Sequence, residues 1–258
     1  MPTMVLRALA LLLFLAAPAA AEPWRATYFI KAAGLPIAEV ELRFTLDGPG
    51  YSVESRMRSL GVARLFLRGE QISRSEGAWA AGMPRPRLHL SEGNWRGVLR
   101  QTRLEYGPDG APRVAVLNPA QDMPRSPVPE SARPGTMDGL SALAGLARHV
   151  RDTASCETEA RSFDGRRLTQ FQVARDPEPQ PAGTAGLRCV IEARTLAGHP
   201  LDRDPAEVRQ PLRILAEFGP RSPGTPAVPA RVELGSRWWG TIEATLMDLR
   251  RDEAPTTN

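Results

Sequence analysis

The chain has little of what enzymes and nucleic-acid binders usually display. Of its 258 residues, two are cysteine, three are histidine and one, Lys31, is lysine. Cys156 and Cys189 lie too far apart, with only His89, His149 and His199 elsewhere, to match a zinc-ligand spacing. G-x-S-x-G, H-E-x-x-H, P-loop and G-x-G-x-x-G motifs are absent. His89 falls in a strand pattern and His199 in a Gly-His-Pro turn, and neither has an adjacent serine or aspartate that would mark a triad. Ser141 lies inside a helical pattern, and Glu39 and Glu41 share a solvent-facing strand edge. No catalytic residue, metal ligand or cofactor is therefore assigned, and the chain reads as non-enzymatic. Its formal net charge of +4 is small, and the basic residues are almost all arginine. Neither feature marks a nucleic-acid patch.

The N-terminus is a processing signal. Arg7 precedes the apolar run Ala8 to Ala17, Pro18 breaks it, and Ala19-Ala20-Ala21 supplies small residues for cleavage. The run is shorter than the about 20 residues of a membrane-spanning helix. Cleavage after Ala21 is expected, making residues 1–21 a signal peptide and releasing a periplasmic chain that starts at Glu22. No later segment reaches spanning length. Export also decides the cysteines. In an oxidising compartment the pair Cys156 and Cys189 reads as a disulfide. Closing that loop stabilises by about 4 kcal/mol on the chain-entropy estimate. Residues 22–251 are read as one β-rich domain, long enough to bury roughly 70 % of the unfolded surface, with residues 252–258 as a disordered tail.

Period-two alternation dominates the domain. Ala38, Val40, Leu42, Phe44 and Leu46 line one face of a strand, with Glu39, Glu41, Arg43 and Thr45 on the other. Asp47-Gly48-Pro49-Gly50 turns it into Tyr51 to Arg58. Similar patterns predict strands at Trp24 to Ala32, Ala63 to Arg74, Pro86 to Ser91, Trp95 to Tyr106 and Arg113 to Leu117. Strands resume at Ser162 to Ala174, Gly186 to Leu196, Gln210 to Phe218, Ala227 to Leu234 and Gly240 to Leu249. Gly93-Asn94 and Pro108-Asp109-Gly110 are expected hairpin turns. Between the two sets, Pro119 to Pro134 is a proline-punctuated connector.

The one helical pattern runs from Thr136, a candidate N-cap, to Arg151, with Leu140, Leu143, Ala144, Ala147 and Val150 on its apolar stripe. About eleven strands around one helix predict a strongly curved antiparallel sheet or partly closed barrel, with the helix against its concave face. There Leu140, Leu143 and Ala147 would form a lid over whatever the interior holds.

Arginines give the remaining lead. Arg56 and Arg58 share a strand face, Arg64 and Arg68 follow, and Arg96, Arg100 and Arg103 recur further on. Such a cluster can grip phosphate or carboxylate groups, although solvated strand faces account for it more simply. In Phe163-Asp164-Gly165-Arg166-Arg167 the Asp-Gly pair is a turn, with Arg166 and Arg167 as either outward hairpin residues or an anion clamp. Trp238 and Trp239 alternate in extended sequence, so one is core and the other a cavity or rim residue. Arg56, Arg58, Arg166, Arg167 and Trp239 are thus the candidate ligand or anion contacts.

Several of these stretches resemble an exported bacterial family, the domain-of-unknown-function family 3108. The similar segments are Tyr28-Phe29-Ile30 with Gly34 to Glu39, Tyr51-Ser52-Val53 with Arg58 to Ala63, and Asp138 to Leu143. Most specific are Cys156, Phe163 to Arg167, and Cys189 followed by Ala197-Gly198. The resemblance runs from about Trp24 to Leu249. It implies an extracytoplasmic β-rich fold, supports the disulfide and brings no catalytic residue. Two functions follow as expectations. One is an envelope protein that binds a lipid, glycolipid or other hydrophobic ligand in its curved sheet. The other is a structural module that binds another envelope protein without a small-molecule ligand. An apolar interior cavity of several hundred Å³ would favour the first.

Overall fold

The computed structural model describes residues 23–66, 68–178, 186–219, 222, 224–236 and 240–252. The expected signal peptide, the tail beyond Asp252 and the Trp238-Trp239 pair lie outside them. Thirteen strands form one antiparallel sheet. They are β1 Trp24–Ala32, β2 Leu35–Thr45, β3 Gly50–Ser59, β4 Gly69–Ala80, β5 Met83–Trp95, β6 Val98–Tyr106 and β7 Pro112–Asn118. The second half comprises β8 Thr158–Phe163, β9 Leu168–Arg175, β10 Leu187–Ala197, β11 Leu212–Phe218, β12 Pro229–Ser236 and β13 Gly240–Arg251. Short helices α1 Ala63–Phe66 and α3 Pro205–Arg209 flank a central one, α2 Gly139–Thr153.

The chain enters in the middle of the sheet and leaves beside its own start. Spatial order runs β7 to β1, then β13 back to β8, with β1 paired to β13 from Trp24↔Arg251 to Ala32↔Ile242. The result is a nearly closed barrel whose seam lies between β7 and β8. The seam has a topological cause. Every neighbouring pair is antiparallel and the strand number is odd, so β7 and β8 point the same way. Parallel neighbours need a crossover of a dozen or more residues, usually with a helix. The chain between Asn118 and Thr158 supplies this crossover, and its helix α2 lies inside the barrel. Met137 makes a parallel bridge with Ser162, donating its N–H to Arg161 O at 2.9 Å and accepting from Phe163 N at 2.8 Å.

The core is the space between α2 and the inner strand faces. Ala144 and Ala147 pack with Ala26, Tyr28, Leu42, Phe44 and Val53. Val150 packs near Cys156, Cys189 and Phe218. The disulfide Cys156–Cys189 is present and its cysteines are fully buried, so the segment after α2 is tied to β10. Asp252, expected in the tail, donates its N–H to Pro23 O at 2.8 Å, and its carboxylate accepts from Arg25 Nη2 at 2.8 Å and Arg43 Nε at 2.6 Å.

Several local expectations need correction. The stretch Ala63 to Arg74 is not one strand, because residues 63–66 form α1 and β4 begins at Gly69. Gly93-Asn94 is not a turn: both residues pair with β4, Gly93 with Gln71 and Asn94 with Glu70. The hairpin bends at Arg96-Gly97, where φ is +57° and +82°, the pair of left-handed residues that a two-residue turn requires. Ser162 to Ala174 is divided by the Asp164-Gly165 turn into β8 and β9. Thr136 does not cap the helix. Its hydroxyl donates to Arg133 O at 2.7 Å, and Asp138 is the N-cap, accepting from Ser141 N at 3.0 Å.

Candidate functional site

The interior is bounded by α2 and divided by it. On one side an apolar cavity of about 180 Å³ is lined by Pro84, Leu146, Phe171, Ile191 and Ile214. On the other, a cavity of about 200 Å³ lies among Leu42, Phe44, Val228, Val232 and Ala244. Leu143 of the expected lid lines both. For scale, a dry apolar cavity of about 150 Å³ holds a benzene molecule. The second cavity shares Val228 with a wider mouth of about 450 Å³ that also touches Phe218, Leu246 and Leu249. Arg151 stands at this mouth and donates to Asp47 Oδ1 at 2.6 Å.

The polar groups of the interior converge on the N-terminus of α2. Asp138 is 1 % exposed, and Ser75 and Ser141 are fully buried. Oδ1 of Asp138 accepts from Ser75 Oγ at 2.5 Å, and Oδ2 accepts from Ser141 Oγ at 2.6 Å. Tyr51 donates to Ser141 Oγ at 2.7 Å, and His89 Nδ1 stands 2.8 Å from Ser75 Oγ and 3.4 Å from Asp138 Oδ1. Burial acts to raise the Asp138 carboxyl pKa. Hydrogen bonding and charge from His89, with the two serines, outweigh it and hold the group below its ordinary value. Burial pushes the Tyr51 and Tyr106 hydroxyls well up, leaving both neutral.

Ser75, His89 and Asp138 share the residue types of a nucleophile relay but not its order. In a relay the imidazole lies between serine and carboxylate and uses a different ring nitrogen for each. Here both oxygens approach Nδ1. Ser75 has one proton, and it goes to Asp138, so the hydroxyl accepts from the Nδ1–H. The cluster is a clasp that fixes the start of α2 to β3, β4 and β5. With the disulfide beyond its other end, the helix is tied on both sides. The clasp was not legible in the sequence, since its residues come from four separate segments.

The remaining predicted contacts are spread over the surface. Arg56 and Arg58 lie together on β3, where Arg56 pairs with Glu70 and Arg58 donates to Glu39 at 2.6 Å. Arg166 is half-buried at the seam, donating to Pro119 O and, at 3.4 Å, to Ala120 O. Arg167 donates to Asp164 Oδ2 at 3.0 Å. Arg125 completes the seam by binding Gly198 O at 3.0 Å and both oxygens of Asp122. The signature Phe163 to Arg167 thus fastens the crossover to the sheet. Gly198 is part of the same fastening. Its φ is +80°, and a Cβ there would lie 1.9 Å from Arg166 O. Trp239 lies outside the described residues.

Comparison with known proteins fits this architecture. A crystal structure of a beta-barrel-like protein of domain of unknown function DUF1849 from Brucella abortus matches with a TM-score of 0.52 and 13 % identity. The match covers 91 % of this chain and 99 % of that one. At that identity it speaks for the fold alone. No curated protein matches the sequence. The family described as Protein of unknown function (DUF3108) matches residues 24–198, which take in the barrel's first half, the crossover, the disulfide and the seam signature. The chain belongs to the DUF3108 family.

Proposed function

We propose that this chain is a non-enzymatic, exported envelope protein whose barrel interior takes an apolar ligand, such as a lipid acyl chain, alongside α2. One observation carries the reading: two apolar cavities that both border Leu143, one of which shares Val228 with a mouth at the barrel end. Their lining is almost wholly hydrocarbon, as a site for acyl chains requires. Each is small for a whole lipid, so a long chain would need Leu143 to turn aside and join them. Rotation of one leucine is an inexpensive motion compared with withdrawal of a helix clasped at both ends.

Export is supported by the leader pattern Arg7, Ala8 to Ala17 and Ala19-Ala20-Ala21, and by the buried disulfide. No helix among the described residues is long and apolar enough to cross a membrane. The interior reading is tested by titrating delipidated protein with a fluorescent fatty acid and displacing it with an unlabelled one. Saturable binding with full displacement is expected. Absence of saturable binding would count against the ligand and favour a module that recognises another envelope protein.

A further inference from the structure

The barrel end opposite the mouth carries an apolar tip set among arginines. β3 starts at Gly50 beside the Asp47 turn, at the mouth, and ends at Ser59, about 30 Å away for ten residues of strand. Beyond Ser59 the chain forms α1, none of whose side chains is buried. Leu65 is 80 % exposed, Phe66 73 % and Val62 55 %. The β5–β6 turn stands next to this segment, since Arg96 N donates to Arg68 O at 2.9 Å. It leads into Val98 and Leu99, both also exposed.

Between these two tips lies an open basin of about 660 Å³, lined by Arg56, Arg58, Arg64, Arg68 and Arg96 with Glu70 as its one acid among the described residues. Arg56 and Arg58 are paired with Glu70 and Glu39. Arg64, Arg68 and Arg96 have no carboxylate partner among the described residues. Three unpaired guanidiniums beside a bare phenylalanine and leucine form an arrangement that water solvates poorly on the apolar side and that anions complement on the other. Guanidiniums bind phosphates bidentately. Exposed aromatic and aliphatic side chains flanked by basic ones insert at the boundary of headgroups and acyl chains.

We propose that this tip docks the protein on an anionic phospholipid bilayer, with Leu65 and Phe66 inserted and Arg64, Arg68 and Arg96 on headgroup phosphates. Docking in this way turns the cavity mouth away from the bilayer. The proposal does not rest on the interior reading, because the two features lie at opposite ends of the barrel.

Vesicle flotation of the mature chain tests it, using phosphatidylcholine vesicles with and without 30 mol % (about a third) phosphatidylglycerol. Binding to the anionic vesicles alone, weakening as salt rises, is expected. Replacing Arg64, Arg68 and Arg96 together by glutamine should weaken partitioning about a hundredfold. The double variant Leu65→Asp, Phe66→Asp should abolish it, with unchanged thermal unfolding because both side chains are exposed. Equal binding to neutral vesicles, no binding to either, or wild-type binding by the double variant would overturn the proposal. So would displacement by inorganic phosphate beyond that of sodium chloride at matched ionic strength, which would make the basin a free-anion site.

Discussion

Replacing Asp138 by alanine removes the group around which the inner end of α2 is built. The carboxylate caps the helix through Ser141 N, and such a cap contributes about 1 kcal/mol. Its loss also leaves the hydroxyls of Ser75 and Ser141 without their acceptor in a fully buried site. Each unsatisfied buried group costs about 1–3 kcal/mol. The sum is about 4 kcal/mol, since Ser75 can donate to His89 Nδ1 instead and recover part of it. For a chain of this size that lowers the thermal midpoint by roughly 8–16 °C. Asp138→Asn keeps the shape and one acceptor, and is expected to cost about half as much. The pH dependence has a definite sign. The folded carboxyl lies below its ordinary value, so its stabilisation is present above the unfolded pKa of about 3.9 and fades as pH falls through the folded one. Denaturant unfolding of wild type and both variants at pH 7 and below pH 4 measures this. A stability for Asp138→Ala within about 1 kcal/mol of wild type at pH 7 would refute the clasp.

Four further outcomes are expected. Leu143→Trp should fill the space between the two cavities and remove fatty-acid binding while leaving the circular-dichroism spectrum unchanged. Gly198→Ala should destabilise by about 1–3 kcal/mol, read by denaturant midpoint, because its backbone conformation disfavours a side chain and Arg166 O occupies the Cβ position. Thiol labelling of the denatured, non-reduced protein should find neither Cys156 nor Cys189, and reduction should lower stability by about 4 kcal/mol. N-terminal sequencing of the protein from its native cells should begin at Glu22, and a retained Met1 would oppose export.

The parts legible in the sequence are those governed by local periodicity. The inward residues of the Ile37 to Leu46 strand were readable from alternation, and Ala38, Leu42, Phe44 and Leu46 are indeed buried. Helix α2 was readable because Ala144, Ala147 and Val150 recur at helical spacing, and these are its buried stripe together with Ser141. Its cap was misassigned because Thr136 and Asp138 are both capable acceptors, and only the connector's path decides between them. Residues Ala63 to Phe66 alternate well enough to resemble a strand, yet their apolar side chains face solvent, so periodicity misleads there. The seam was invisible because it depends on whether the strand count is odd or even, a property of the whole sheet. The clasp was invisible for a similar reason. Ser75 and His89 sit opposite one another in the β4–β5 ladder, a pairing set by the Ala81-Gly82 turn and the register shift after Glu76. Asp138 reaches them only through the crossover.

Native mass spectrometry of the protein purified from its own cell envelope tests the central claim most directly. A mass excess of a few hundred daltons (on the order of one fatty acyl chain) should accompany the folded wild-type chain and disappear on denaturation. The same excess should be missing from Leu143→Trp. A wild-type chain that carries only its own mass, or a Leu143→Trp chain that retains the adduct in full, would contradict an apolar ligand held beside α2.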